Sequence, residues 1–246
     1  MPARSADAGI IAITLDLDDT LWPVRPTLVA AEERLALWLA ANAPATAAGF
    51  DAGLRKSLRA RLLERHPDRA HDMSFLRLEA LRLALAEAGD DPRLAEAAFE
   101  VFLTARQAVK PYPDVEAVLA RWARRYRLVA LSNGNADIGR IDCGRHFSAA
   151  ISAHEIGFAK PDPRIFAAAC EAAGAQPERC LHIGDDWQLD IVAARAAGMR
   201  AAWVRRPEFA DRPMPDESRD DPGPVFDSLD GVDRWLHPDD GNTGPR

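Results

Sequence analysis

A short apolar run, Ile10 to Leu15, ends directly in the carboxylates Asp16, Asp18 and Asp19, and this constrains the chain more than any other feature. The run is aliphatic and β-branched without alternation, which predicts a strand covered on both faces, the central strand of a parallel sheet. Ligands of open α/β sheets bind off the carboxyl ends of such strands, where these aspartates fall. Crowded carboxylates repel one another and destabilise a fold unless a cation or a shared proton compensates.

The pattern recurs later in the chain. Leu181 to Gly184 reads as another strand and is followed by Asp185, Asp186 and Asp190. Parallel packing brings both acidic groups to one rim of the sheet, and a ligand set made only of oxygens suits Mg²⁺. Ser132 and Asn133 follow a predicted strand, Leu128 to Leu131, and Lys160 lies in Gly157-Phe158-Ala159-Lys160-Pro161.

Between the first strand and the rest, the periodicity is helical. From Pro26 to Val109, Leu28, Ala31, Leu35, Trp38 and Leu39 share one helix face, and Phe75, Leu78, Leu81 and Leu85 share another. Pro44 and Gly49, Pro67, and Gly89 with Pro92 divide the stretch into about four helical pieces, a small bundle. After Pro113 the order predicted is helix (115–125), strand (128–131), strand (149–152), helix (163–173), strand (181–184), helix (189–197) and strand (201–204). Residues 205–224 read as loop, and a last helix is expected over 229–236.

Such alternation places the chain in the α/β class: a Rossmann-like doubly wound parallel sheet interrupted after its first strand by an α-helical domain. The expected division is a discontinuous core, 1–24 with 110–246, an inserted cap over 25–109, and a flexible tail over 237–246.

Composition closes several alternatives. A formal charge of −7 argues against a general nucleic-acid binder. The basic stretch Arg55, Lys56, Arg59, Arg61 and Arg65 reads as a solvated helix face or an attractor of anions. Cys143, Cys170 and Cys180 show no metal or redox spacing, as expected of reduced cytoplasmic thiols, and no stretch reads as a signal peptide or membrane span. His66, His146, His154 and His182 have no metal-ligand spacing and read as surface or packing residues.

The ordered set Asp16-Leu17-Asp18-Asp19-Thr20, Ser132-Asn133, Lys160-Pro161 and Gly184-Asp185-Asp186 with Asp190 resembles the four motifs of the haloacid dehalogenase-like superfamily, and the helical insertion resembles its C1 cap. The resemblance spans Ile10 to Val204 and implies a set of roles. Asp16 corresponds to the nucleophile and Asp18 to the general acid and base. Thr20 shapes the turn and adjoins the phosphate site; Ser132, Asn133 and Lys160 bind the transferring phosphoryl group. Asp16, the Asp18 carbonyl and Asp185 hold Mg²⁺, while Asp186 and Asp190 orient waters or Lys160 from behind.

The resemblance further implies a phosphatase acting on a small phosphorylated metabolite through an aspartyl-phosphate, in a monomer or homodimer. Asp18 disfavours the haloacid dehalogenases, which lack a carboxylate two residues after the nucleophile. A phosphomutase shares the motifs, and a catalytically silent binding protein on the same scaffold is a further alternative. Asp16 to Pro26 (DLDDTLWPVRP), Ser132 to Ala136 (SNGNA) and His182 to Asp190 (HIGDDWQLD) resemble bacterial phosphatases of flavin mononucleotide and of 5-amino-6-(5-phospho-D-ribitylamino)uracil. Arg25, His71, Phe75 and Arg77 are the cap residues expected to set selectivity.

Overall fold

The structure is a computed structural model that describes residues 9–218 and 221–238. Strand β1 (Ala12–Leu15) is wholly buried, as its unbroken apolar run requires. It lies between β2 (Arg127–Ser132) and β4 (Cys180–Gly184). With β3 (Ala149–Ser152), β5 (Arg200–Val204) and β6 (Val225–Phe226), these strands form one parallel sheet in the order β3-β2-β1-β4-β5-β6. The chain therefore leaves β1 in both directions, and the crevice at the carboxyl ends of β2, β1 and β4 is the topological switch point.

Alternate residues of each strand enter opposite cores. Ile13, Leu15, Leu128, Ala130, Leu181 and Ile183 pack on α6 (Val115–Trp122) and α10 (Leu229–Leu236). Ala12, Val129, Leu131 and Trp203 face the other layer, with α8 (Pro163–Ala173) and the helix that follows β4. A one-turn helix, α7 (Ala153–Ile156), follows β3.

Between β1 and β2 come α1 (Val24–Asn42), α2 (Pro44–Ala47), α3 (Ala52–Arg65), α4 (Met73–Ala88) and α5 (Ala95–Arg106). The boundaries follow local chemistry. Asp51 and Asp72 accept the backbone N–H groups of Leu54 and Phe75 at the starts of α3 and α4, and α4 ends on Gly89 in the left-handed region, φ 86°. Ala31, Leu35, Leu39, Leu81, Leu85 and Phe102 make one buried seam of this insertion, and Leu58, Leu62 and Leu76 make a second.

Several elements differ from the sequence expectation. The break expected at Pro44 holds a single helical turn, α2, since proline is tolerated at a helix start. The helix expected over 189–197 starts two residues earlier as a wide π-type stretch, Trp187–Val192, and becomes α9 (Ala193–Ala196). Strand β6 was not foreseen: two residues after a Pro-rich loop carry no periodicity, and only pairing with β5 defines them. Helix α6 ends at Trp122, three residues short of the expected end. His237, where a loose tail was expected to begin, bonds Tyr126 and Asp233; the rest of that expectation, 239–246, lies outside the described residues. Among the described residues, no helix is long and apolar enough to cross a membrane.

Candidate active site

The two acidic strand ends meet at the switch point. Ligand atoms of Asp16, Asp185 and Asp190 lie within 4.8 Å of one another. Lys160, 4 % exposed, reaches between two of them: its Nζ donates to Asp16 Oδ1 at 2.5 Å and to Asp190 Oδ1 at 2.6 Å. The Thr20 hydroxyl faces Asp16 Oδ2 at 3.1 Å and Asp185 Oδ1 at 3.3 Å, so Thr20 bridges the two strand ends as well as closing the turn.

Behind this set runs a buried relay that sequence reading missed. Asp190 Oδ1 also meets His182 Nε2 at 3.1 Å, and His182 Nδ1 meets Thr14 Oγ1 at 2.7 Å. His182 is therefore more than packing: it holds Asp190, which holds Lys160. The composition of β4 contained the signal, because a histidine in an otherwise apolar buried strand must find partners. Asp190 Oδ2 accepts the Asp186 N–H at 3.0 Å, so both of its oxygens are engaged within the protein. Gly184 makes room for it: a Cβ there would sit 2.2 Å from the Asp190 carboxyl carbon.

The electrostatics are those of buried charge. Burial raises Asp16 to about 7 against the pull of Lys160, and burial with the repulsion of Asp16 and Asp190 raises Asp185 to about 9. Burial also opposes ionisation of Asp190, yet Lys160 and His182 hold it below the usual carboxylate range. Lys160 is raised because its two carboxylates outweigh its burial. Burial lowers His182 in spite of Asp190.

Asp18 stands at the rim, its side chain 24 % exposed. Trp22 Nε1 donates to its Oδ1 at 2.9 Å, and Arg106 Nη2 lies 2.6 and 2.5 Å from its two oxygens. Asp19 adopts φ 58° in the turn and caps α1 by accepting the Val24 N–H at 2.9 Å. Arg206, at the end of β5, clamps the same loop: Nε and Nη2 donate to the Thr20 carbonyl at 3.0 and 2.8 Å while Nη1 grips Asp114. Arg106 and Arg206 were not singled out from sequence, since the carboxylates they pair with, Asp18 and Asp114, lie 88 and 92 residues away along the chain.

The neighbouring loops are fixed in the same manner. Ser132 Oγ accepts the Gly134 N–H at 2.9 Å. Asn133 and Lys160 exchange hydrogen bonds, Asn133 Nδ2 to the Lys160 carbonyl at 2.9 Å and Lys160 N–H to Asn133 Oδ1 at 2.8 Å, so the Asn133 side chain fastens the loop carrying the lysine. Asp186 caps the helix after β4 by accepting from Gln188 and Leu189. Beside Ser132 lies a cavity of about 280 Å³, lined in part by Ser74 and Leu103 of the insertion and by Asn135, Arg140 and His154 of the sheet layer.

The cap residues singled out from sequence have partners within the insertion or stand at its surface. Phe75 packs edge-on against His66, with the Arg69 guanidinium 4.1 Å above its ring. Arg77 pairs with Glu32 at 2.8 Å and stacks on Phe102 at 3.6 Å. Arg25 is exposed near the start of α1, and His71 is half-buried ahead of α4. The basic stretch lies on α3, where Arg55 and Arg61 pair with Glu32 and Glu87. Cys143, Cys170 and Cys180 are free and buried.

A parallel sheet whose switch point gathers aspartates around a buried lysine defines an α/β enzyme core whose acidic group could hold a metal ion. The chain belongs to the haloacid dehalogenase-like hydrolases: the family model so described matches residues 10–198. It is 30% identical over 206 residues to the 5-amino-6-(5-phospho-D-ribitylamino)uracil phosphatase YigB of Escherichia coli, covering 82% of this chain and 86% of that one. It is 41% identical over 136 residues to the phosphoserine phosphatase of Thermus thermophilus, a match spanning 53% of this chain and 55% of that protein. A crystal structure named as 2-haloacid dehalogenase from Pseudomonas syringae superimposes with a TM-score of 0.84 at 36% identity, covering 92% of this chain and 98% of that one.

Proposed function

We propose that this protein is a Mg²⁺-dependent phosphatase that hydrolyses a small phosphate monoester through an aspartyl-phosphate on Asp16. The observation that carries this reading is the buried group of Asp16, Asp185 and Asp190 around Lys160. Three acidic side chains at one point outnumber the single lysine, so they ionise together only with a further cation present, and the donors are hard oxygens, which fits a magnesium ion. Asp16, Asp185 and the Asp18 main-chain carbonyl would hold it. Asp190 is committed to Lys160, His182 and the Asp186 N–H, which fits a role behind the centre rather than as a ligand. When bound, Mg²⁺ offsets the repulsion between a carboxylate nucleophile and an anionic phosphoryl group.

Asp16 attacks phosphorus as the bond to the leaving oxygen breaks, and Asp18 gives that oxygen a proton. Asp18 then takes a proton from the water that attacks the aspartyl-phosphate, which frees Asp16 and releases phosphate. Lys160 stays charged between Asp16 and Asp190 and stabilises the charge on the transferring group, with Ser132 and the Asn133 N–H as donors to its oxygens. Thr20 keeps the two strand ends in register.

The cavity beside Ser132 suits a small metabolite rather than a folded phosphoprotein. Sequence relatives named for phosphoserine, 5-amino-6-(5-phospho-D-ribitylamino)uracil and glyceraldehyde 3-phosphate support a small phosphate monoester, of flavin-precursor or sugar type. A second reading, haloacid dehalogenation, draws on the name of the Pseudomonas syringae structure. Halide leaves carbon without needing a proton, so that chemistry gives Asp18 no part, and the phosphatase reading is preferred.

The test is phosphate release from an aryl phosphate with and without Mg²⁺, beside halide release from a 2-haloacid. The expected result is Mg²⁺-dependent phosphate release that Asp16→Asn abolishes while its circular dichroism is unchanged. Halide release without phosphate release, or phosphate release unaffected by Asp16→Asn, overturns the proposal.

A further inference from the structure

Arg106 is the last residue of α5, is 1 % exposed, and belongs to none of the four motifs. One of its nitrogens, Nη2, spans both oxygens of Asp18; the other, Nη1, has no hydrogen-bond partner among the described residues. The contact joins the inserted helices to the sheet across 88 residues of sequence. Gln107, the next residue, continues the junction. Its amide nitrogen donates to the Asn135 carbonyl at 3.3 Å, and its amide oxygen accepts the Asp137 N–H at 2.7 Å.

The space is shaped around this pair. A Cβ on Gly134 would lie 2.8 Å from Asp18 Oδ2, 3.3 Å from Ser132 Oγ and 3.7 Å from Arg106 Nη2. Asp18, Arg106 and Ser132 therefore meet at one glycine, within reach of the phosphoryl group that Ser132 would bind. A surface ion pair in such a place would need no account, because exposed pairs contribute little. A buried guanidinium left without its carboxylate is strongly destabilising, so Arg106 stays where Asp18 is, and the converse holds for the direction in which Asp18 points.

We propose that Arg106 is a positioning residue, carried by the cap, that fixes the direction of the Asp18 carboxylate so that seating of the cap aims the acid-base group. The inference rests on the phosphatase reading above. Displacing a proton donor by about 1 Å is enough to lower a rate on the order of a hundredfold, and general acid catalysis itself contributes roughly that much or more. Proton donation matters most when the leaving oxygen is a poor leaving group. An alkyl phosphate depends on the aim of Asp18, whereas p-nitrophenyl phosphate, whose leaving phenolate is stable, depends on it little.

The experiment compares kcat/KM for an alkyl phosphate and for p-nitrophenyl phosphate in the wild type, Arg106→Lys and Arg106→Gln. The ratio of the two values is independent of how much of each variant folds. In Arg106→Gln the alkyl ester is expected to lose about a hundredfold and the aryl ester about tenfold or less, with Arg106→Lys between it and the wild type. An equal loss on both esters, which a merely structural role produces, overturns the proposal, as does no loss or a gain on the alkyl ester. A wild type that turns over neither ester overturns the phosphatase reading and this inference with it.

Discussion

Magnesium affinity should depend steeply on pH, because the carboxylates that would hold the ion are held protonated by their burial. Asp185 is raised to about 9 and Asp16 to about 7, each from an ordinary value of 3.8, and their ligand atoms share one 4.8 Å cluster, so they titrate as a unit. The folded chain therefore binds more protons than the unfolded chain from the ordinary carboxyl range up to about pH 9. Stability of the metal-free fold is present at low pH in this respect and falls as pH rises through that window. A cation that needs both carboxylates ionised must displace their protons, and each displaced proton raises its affinity about tenfold per pH unit. The slope should approach two protons below about pH 7, fall to one between about 7 and 9, and flatten above. Calorimetric titration of Mg²⁺ across that range reads the slope directly, and buffers of different ionisation enthalpy count the protons released. Asp185→Asn should remove one proton from the slope. A Kd constant between about pH 6.5 and 8.5 would refute the reasoning, since it would mean that the carboxylates are ionised before the metal arrives.

Further substitutions probe the supports of the centre. Gly184→Ala places a Cβ where the Asp190 carboxyl lies, so it should release Lys160, lower kcat at least about tenfold and lower the melting temperature as well, because the pair it breaks is buried. Arg206→Leu takes away the cation paired with the largely buried Asp114 carboxylate, which keeps only the Leu229 N–H, and leaves the Thr20 carbonyl without its guanidinium donor, so chemical denaturation should show a loss of about 3–5 kcal/mol. An unchanged denaturation midpoint would show that the clamp on the aspartate loop contributes nothing to stability.

The parts of the site that were legible in sequence are those whose chemistry sits on the strand ends themselves. Asp16, Asp18 and Asp185 follow buried strands directly, and parallel packing leaves them no other place to meet. The helical insertion was legible too, because a period of 3.6 replaces unbroken apolar runs between β1 and β2. What escaped was everything whose partner is distant in sequence. Arg106 looks like an ordinary basic residue in the last turn of a helix until the chain returns it to Asp18. His182 is one polar residue in a buried strand, and its value lies in Thr14 on one side and Asp190 on the other. Phe75 and Arg77 had the composition of a selectivity surface; both are half-buried, and the His66, Arg69, Glu32 and Phe102 side chains they meet are partners that sequence does not announce.

The central claim is a covalent phosphoryl group on one named carboxylate. Wild-type protein turning over a phosphate monoester with Mg²⁺ would be quenched in acid within a single turnover, digested, and its peptides sequenced by mass spectrometry. A phosphoryl group on Asp16, labile to hydroxylamine and absent from Asp16→Asn, is the result the account predicts. Turnover of the ester with no phosphoryl group trapped on Asp16, or with it on another residue, would contradict it.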